Sequence, residues 1–196
     1  MFNGNRVKSL HNPRKASDKR KKTVTRTFRI RAEWDDVLRK EAEKQGISVN
    51  VLVNLIFRKY ALFDKWARNH NVISLTQQAF REILDGIPLE NLALAGEKSG
   101  SSDLQNILHM RGLPSNYDSF ASLVSRHFGG PDCAMWFSCH RHFHENSDVF
   151  HLQHNLGHGW SVYLQKYFLS YLKTLKIDCK TKIYDYAVNI KVPRPR

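Results

Sequence analysis

The sequence predicts an α+β protein in which an N-terminal strand-helix-helix unit precedes further helices and a small β-β-α-β domain. Residues 23–30 alternate between apolar and polar side chains, and residues 32–68 carry apolar side chains at helical spacing. Residues 133–192 contain alternating stretches on both sides of a helical one. We therefore divide the chain into a flexible basic arm (1–22), a compact strand-helix-helix unit (23–70), a helical connector (71–118) and an α+β domain (119–196).

The positive charge of the chain is concentrated at its N-terminus. Of the formal net charge of +13, residues 1–31 carry +10, since they hold eleven lysines and arginines and only one acid, Asp18. A concentration of this kind is typical of proteins that bind a polyanion, either nucleic acid or an anionic membrane. Residues 1–22 contain almost no large apolar side chains, so we expect them to remain flexible.

Other composition features exclude several classes of protein. No apolar run approaches the roughly 18–20 residues that span a bilayer, and the N-terminus lacks the apolar stretch of a signal peptide. The three cysteines, Cys133, Cys139 and Cys179, are odd in number and form no metal-type pair. These features predict reduced thiols in a cytoplasmic protein that has no membrane association.

The first element of the N-terminal unit is a strand predicted at Thr23–Ile30, with period-two alternation and β-branched residues. One face is apolar, and the other carries polar side chains. The apolar face holds Val24, Phe28 and Ile30, and the polar face holds Thr25, Thr27 and Arg29. Arg26 interrupts the apolar face.

Two helices follow this strand. The first is predicted at Ala32–Gln45 and ends at Gly46, while Ser48 is a natural N-cap for a second helix that runs to about Arg68. The second helix is apolar around most of its circumference, so it requires cover on several sides. One strand and one short helix are too small to provide that cover, and we expect a second copy of the unit to do so. Without the strand, a helical hairpin inside a larger monomer is the simpler interpretation.

The stretch Thr25-Arg-Thr-Phe-Arg-Ile30, the helix after it and the Gly46-Ile47-Ser48 turn resemble the ribbon-helix-helix fold of Arc, MetJ and CopG-type repressors. The resemblance covers about 45 residues, and Arg26 departs from it because the family places an apolar residue there. It implies a homodimer whose paired strands enter the major groove of double-stranded DNA, with Thr25, Thr27 and Arg29 contacting base edges. The implied phosphate contacts come from Lys19, Arg20, Lys21, Lys22, Arg26, Ser48, Val49 and Asn50.

The connector is predicted to be a broken helical stretch. Helices are expected at Leu75–Leu84 and Leu89–Ala95, and a third short helix is expected to end at Met110. The Gly- and Ser-rich composition of residues 97–102 predicts a loop between the last two. In the C-terminal domain we expect a hairpin at 133–155, a helix from Gly157 to about Leu175 and one closing strand at Ile183–Val192.

The predicted hairpin gathers histidines on one face. With His144 opposite Val149, the apolar side chains, Cys139 among them, share a core face, and His142 lies across from His151 on the other. This geometry makes a candidate transition-metal site, whose ligands would be His142, His151 and either His140 or His144. Exposed strand histidines are more often merely solvated, and no helical His-x3-His spacing supports a metal. We therefore predict no resident metal or other cofactor.

The segment His154-Asn-Leu-Gly-His-Gly-Trp-Ser161 resembles a signature of uncharacterised archaeal proteins, several of which carry a ribbon-helix-helix module in front. The resemblance implies an archaeal sensor or assembly domain, open to an unidentified ligand or protein, but it brings no known ligand. Gly157 and Gly159 at a helix start would permit close approach of an anion. Such glycines more often only serve the turn.

No enzymatic motif emerges from the sequence. It contains no phosphate-cradling Gly-rich loop, no nucleophile elbow and no His-Glu-x-x-His helix. Cys139 and His140 are adjacent on a predicted strand and point to opposite faces, so they cannot pair for catalysis. The leading hypothesis is a homodimeric, sequence-specific transcriptional regulator. The alternatives are an antitoxin or plasmid-copy regulator that binds a protein partner, and a non-specific nucleoid or RNA-binding protein.

Overall fold

The computed structural model describes residues 23–67, 73–129 and 136–194. Within these ranges lie six α-helices and one four-stranded antiparallel sheet, so the predicted α+β class is confirmed. The basic arm, with the candidate phosphate contacts Lys19, Arg20, Lys21 and Lys22, lies outside the described residues.

The two N-terminal helices have the predicted bounds. Helix α1 spans Ala32–Gln45 and ends at Gly46, whose φ of 66° is left-handed and whose amide donates to the carbonyl oxygens of Ala42 and Glu43. Helix α2 spans Val49–Lys59 and continues through a π-helical turn, Tyr60–Asp64, and a last turn, Lys65–Ala67. The Ser48 hydroxyl caps α2 by accepting from the Val51 amide at 3.3 Å. The predicted end at Arg68 falls just outside the described residues.

Residues 23–31 precede α1 without helix or paired strand, so the strand predicted at Thr23–Ile30 is not shown in the single chain. A strand is defined by hydrogen bonds to a neighbouring strand, and no described strand pairs with this segment.

The remaining elements form the larger part of the fold. Four helices occupy Gln77–Asp85 (α3), Leu89–Met110 (α4), Tyr117–Ser122 (α5) and His158–Thr174 (α6). A π-helical turn, Leu123–Phe128, continues α5. The strands are Ser138–Phe143 (β1), Ser147–Gln153 (β2), Lys180–Tyr184 (β3) and Ala187–Pro193 (β4), and they lie in the order β1-β2-β4-β3.

The loop predicted at residues 97–102 is wrong, because α4 runs unbroken through them. Gly96 and Gly100 lie buried on the side of α4 that faces α6. A Cβ atom at Gly100 would overlap the carbonyl oxygen of Tyr167, and one at Gly96 would overlap that of Tyr163. The glycines therefore allow two helix backbones to approach closely, a role that composition alone does not reveal.

The single strand predicted at Ile183–Val192 is also wrong. It is a hairpin of β3 and β4 that turns at Asp185 and Tyr186, so the domain is β-β-α-β-β. Because Asp185 and Tyr186 form a turn, the alternation of inward and outward side chains does not continue through them as it would in a single strand. Ile183 on β3 therefore pairs with Val188 on β4, and both side chains lie on the same face of the sheet.

The hydrophobic core lies between the helices and one face of the sheet. Its completely buried side chains come from α4, α5, α6 and the strands, and aromatic rings make up much of it. Phe120 on α5 stacks on Tyr171 of α6 at 5.7 Å and meets Phe150 of β2 edge-on at 5.8 Å. Helix α4, from the predicted connector, contributes Leu104 and Leu108 to this same core.

Candidate nucleic-acid interface

The candidate base-contacting residues lie in the segment before α1. Thr25, Thr27 and Arg29 are all exposed, as is Arg26, whose Nη1 donates to the Thr25 carbonyl oxygen at 3.5 Å. The ring of Phe28 lies 5.6 Å from that of Phe57 on α2. This aromatic contact holds the segment against α2 and leaves its polar side chains in solvent.

The second group of candidates lies at the start of α2. The Ser48 side chain is committed to the Val51 amide, and the first backbone hydrogen bond of the helix runs from the Leu52 amide to the Ser48 carbonyl. The amides of Val49 and Asn50 precede that first bond, so they belong to the unpaired donors of a helix N-terminus. The first turn contains no acid, so nothing in it opposes a phosphate.

The apolar side chains of residues 23–67 are mostly in solvent. Of the side chains that the structure describes there, only those of Ala42 and Leu52 are buried. The exposed fractions reach 73% at Val24, 60% at Phe28 and 64% at Val37. Others exposed in this unit are Ile30, Trp34, Val51, Ile56, Phe57, Tyr60 and Leu62. So many exposed large apolar side chains in one short unit are typical of a surface that a partner covers.

The histidines lie on the outward face of the sheet, as predicted, but the predicted register is wrong by two residues. His140 lies opposite His151, and His142 lies opposite Val149. A shift of two preserves which side chains share a face, so the hydrophobic pattern cannot distinguish the registers. The turn is tighter than predicted, since the His144 amide donates to the Ser147 carbonyl at 2.9 Å.

These histidines do not converge on a point. Nδ1 of His151 lies 2.6 Å from the Asn189 side-chain oxygen. Among the described residues, no three His, Cys, Asp or Glu side chains lie close enough to hold a metal ion. Cys139 packs against the core, and burial raises the pKa of its thiol to about 11. It is therefore protonated at neutral pH and is a poor nucleophile.

The His154–Ser161 segment forms an internally satisfied structural corner. The Leu156 amide donates to His154 Nδ1 at 3.2 Å, so the ring carries its proton on Nε2, which donates to the Ser161 hydroxyl at 2.9 Å. That hydroxyl donates in turn to the Ala187 carbonyl at 3.4 Å. Burial lowers the pKa of His154 to about 4 and keeps the ring neutral.

The glycines of this segment also serve the fold. Gly157 has a φ of 81°, which L side chains rarely adopt, and it begins α6. A Cβ atom at Gly159 would lie 2.7 Å from Leu92 Cδ1 on α4. The turn and the helix packing thus account for both glycines without a bound anion.

Sequence reasoning missed a buried carboxylate. Asp148 on β2 is completely buried and accepts from Tyr117 Oη at 2.6 Å, Arg194 Nε at 2.7 Å and the Arg141 guanidinium. Burial alone would raise the pKa of Asp148, but the hydrogen bonds from Tyr117, Arg141 and Arg194 outweigh it, so the pKa is lowered. The alternation along β2 that points Phe150 and Leu152 toward the core also points Asp148 toward it. Arg141, the partner of Phe150 on β1, lies on the same face. An acid and a base at core-facing positions of the hairpin were the sequence signal that could have predicted this cluster.

No described helix is by itself long and apolar enough to cross a membrane, and only the pair 32–45 and 49–64, bent by 100°, meets that test jointly. Comparisons of the chain with protein-family models, with curated proteins and with solved structures each found no significant match.

Proposed function

We propose that the chain is a homodimeric, sequence-specific DNA-binding regulator of transcription in which residues 23–67 of two copies form a ribbon-helix-helix unit. The exposed apolar surface of residues 23–67 is the observation that carries this proposal. Val24, Phe28 and Val37 each expose at least 60% of their surface, and burying one such side chain contributes about 1.5–3 kcal/mol. A second copy would cover this surface, and its strand would pair with residues 23–30.

Charge and side-chain chemistry support DNA as the partner. Thr25, Thr27 and Arg29 are exposed and lie in the part of the chain that carries most of its net positive charge. Arginine can donate two hydrogen bonds to guanine, and threonine can bond bases or contact a thymine methyl group. The amides at Ser48–Asn50 and the basic arm would hold phosphates on either side of the ribbon. A role on DNA implies a cytoplasmic location.

Selection of bound duplexes from a random pool by the full chain tests this proposal. We expect enrichment of a palindromic or repeated site, since the proposed dimer is two-fold symmetric. Arg29→Ala should relax discrimination at one base pair per half-site by about 1–3 kcal/mol. Arg39→Ala, which changes an exposed arginine paired with Asp35 on α1, is the matched control and should retain the preference.

Two outcomes would count against the proposal. Uniform coating of DNA without an enriched site would favour an architectural protein. If Arg29→Ala discriminated between base pairs as well as the unaltered chain does, the proposal that a strand ribbon contacts the bases would be wrong. Deleting residues 1–22 should weaken binding to all sequences alike and flatten its salt dependence, because phosphate contacts carry no sequence information.

A further inference from the structure

The outward face of the sheet is basic and free of acids. We call it the outer sheet face and define it by its six basic or titratable side chains: His140, His142, His151, Lys180, Lys182 and Lys191. They alternate along the strands with core side chains, and all are exposed except His151, which is half-buried. The strand residues that share this face with them are neutral.

The register arranges these groups in rows across the strands. Lys182, Asn189, His151 and His140 are successive cross-strand partners from β3 to β1. With neighbouring strands about 4.8 Å apart, this row extends over about 14 Å. Lys182, Asn189 and His140 each carry a nitrogen that can donate a hydrogen bond to a phosphate oxygen, whereas Nδ1 of His151 already donates to the Asn189 side-chain oxygen. The row thus offers three donor side chains across the four strands.

The next row contains a like-charge pair. Lys180 lies directly opposite Lys191, and like charges in this position destabilise a sheet. Neither lysine, nor Lys182, forms an ion pair with a described residue. On α1, by contrast, acids and bases are interspersed and Arg39 pairs with Asp35. An anion lying over the outer sheet face would offset the repulsion between Lys180 and Lys191.

The acids nearest to this face in sequence lie at its ends. Glu145 lies in the turn between β1 and β2, Asp178 precedes β3, and Asp185 lies in the turn between β3 and β4. Asp185 is already engaged, because its carboxylate lies 3.1 Å from His158 Nδ1. The centre of the face therefore keeps its positive charge.

We propose that the outer sheet face binds the phosphate backbone of duplex DNA, beside the stretch that residues 23–31 contact; this rests on the proposed function. A chain held on DNA by its N-terminal unit presents the sheet to the same duplex at high effective concentration. Proteins that bind single strands stack bases on successive aromatic rings. The outer sheet face has one exposed ring, Tyr184, and Lys182 Nζ already lies 5.0 Å from its centroid. Backbone contact with a duplex fits this chemistry better.

The salt dependence of binding to a long duplex of non-specific sequence tests this inference. The test variant is Lys182→Gln/Lys191→Gln in the full chain. The matched control, Lys98→Gln/Lys173→Gln, removes the same charge from exposed positions on α4 and α6. We expect the slope of log Kobs against log salt to become shallower by about 0.9 for each phosphate that the test variant no longer neutralises. The control should keep the slope of the unaltered chain.

Further measurements separate this inference from its rivals. Lys182→Arg/Lys191→Arg should restore the slope, and thermal unfolding should show that all variants fold. If the test and control variants changed the slope equally, the effect would come from the net charge of the protein and not from the outer sheet face, and the inference would be wrong. It would also be wrong if neither variant changed the slope. Weaker binding to single strands or anionic vesicles, with duplex binding intact, would also overturn it. Failure of the ribbon proposal would appear separately, as the absence of an enriched site in the selection.

Discussion

Residues 23–67 and residues 77–194 differ in how they treat apolar side chains. In the C-terminal region, Phe120, Phe150, Tyr167 and Tyr171 are completely buried and pack in one core with the aliphatic side chains of α4 and the sheet. In the N-terminal unit only Ala42 and Leu52 are buried among the side chains that the structure describes. The hydrophobic effect acts equally on both regions, and the proposed dimer would account for the difference because a second copy would cover the exposed side chains.

The two regions touch at the end of the α2 segment. Arg111, at the end of α4, donates to the Leu62 carbonyl at 3.0 Å, and the ring of Phe63 lies 5.4 Å from that of His127. Phe28, Val37 and Ile56 take no part in these contacts and remain exposed. Residues 77–194 thus bury their apolar side chains in one core, and we call them the closed body. Residues 23–67 leave most of theirs exposed, and we call them the open unit.

The close contact of α4 with α6 should be the least tolerant feature of the closed body. Gly100→Ala would push a methyl group into the Tyr167 backbone. We expect the free energy of unfolding to fall by about 3 kcal/mol or more, the upper end for overpacking. Urea denaturation measures it. Ser102→Ala, at an exposed position in the same helix, should be neutral, and a neutral Gly100→Ala would mean that the helices are not packed in this way.

The closed body should also lose stability in acid. The pKa of His154 is about 4 in the folded chain, against an ordinary value of about 6.5. Its contribution is therefore fully present above pH 6.5 and is lost as the pH falls through 4. The stability falls by about 3 kcal/mol at pH 4.

Thermal unfolding between pH 7.5 and pH 4 checks this expectation. Asp148, whose pKa is lowered, also contributes stability that is lost as the pH falls through its folded pKa. His154→Asn, which does not titrate, should flatten the decline between pH 6.5 and 4 at the cost of lower stability at neutral pH. An equally steep decline in His154→Asn would show that His154 is not the group responsible.

The smallest expected effect is in the open unit. Ser48→Ala removes the cap of α2, where the hydroxyl accepts from Val51, and should cost about 1 kcal/mol. We expect this change to appear in the concentration-dependent, dimer-linked step of unfolding rather than in that of the C-terminal body. Hydrogen exchange at the α2 amides gives an independent measurement. Protection that stays unchanged in Ser48→Ala would mean that the cap does not stabilise α2.

Much of the fold was predictable where a signal is local. The bounds of α1, the Gly46 turn and the Ser48 cap follow from capping rules, and the faces of β1 and β2 follow from alternation. Gly100 was misinterpreted as part of a loop because its role depends on α6, which is remote in sequence. The turn at Asp185 and Tyr186 was not predicted, because it lacks the Asn-Gly or Asp-Gly signal of a two-residue hairpin.

The candidate sites follow the same rule, because those defined by a local pattern could be predicted from the sequence and those that join remote segments could not. Thr25, Thr27 and Arg29 were identified from local alternation, but every residue from 23 to 31 is exposed in the single chain, so their contact with bases stays a prediction. The Asp148 cluster needed Tyr117, Arg141 and Arg194, which lie in three other segments of the chain. The pairing of His140 with His151 could be predicted only from the exact register of β1 and β2. The hydrophobic pattern does not fix that register, because a shift by two residues leaves every side chain on the same face of the sheet.

Sedimentation equilibrium tests the central claim most directly. The account predicts that the full chain has twice the mass of one 22.8 kDa chain, and that Ile56→Lys dissociates it. Each copy would place a charge where an apolar side chain is buried, so the dissociation constant should rise by about a hundredfold or more. Thr174→Lys, an exposed change at the end of α6, should leave the dimer intact. A full chain that stays monomeric with residues 23–67 folded would contradict the account.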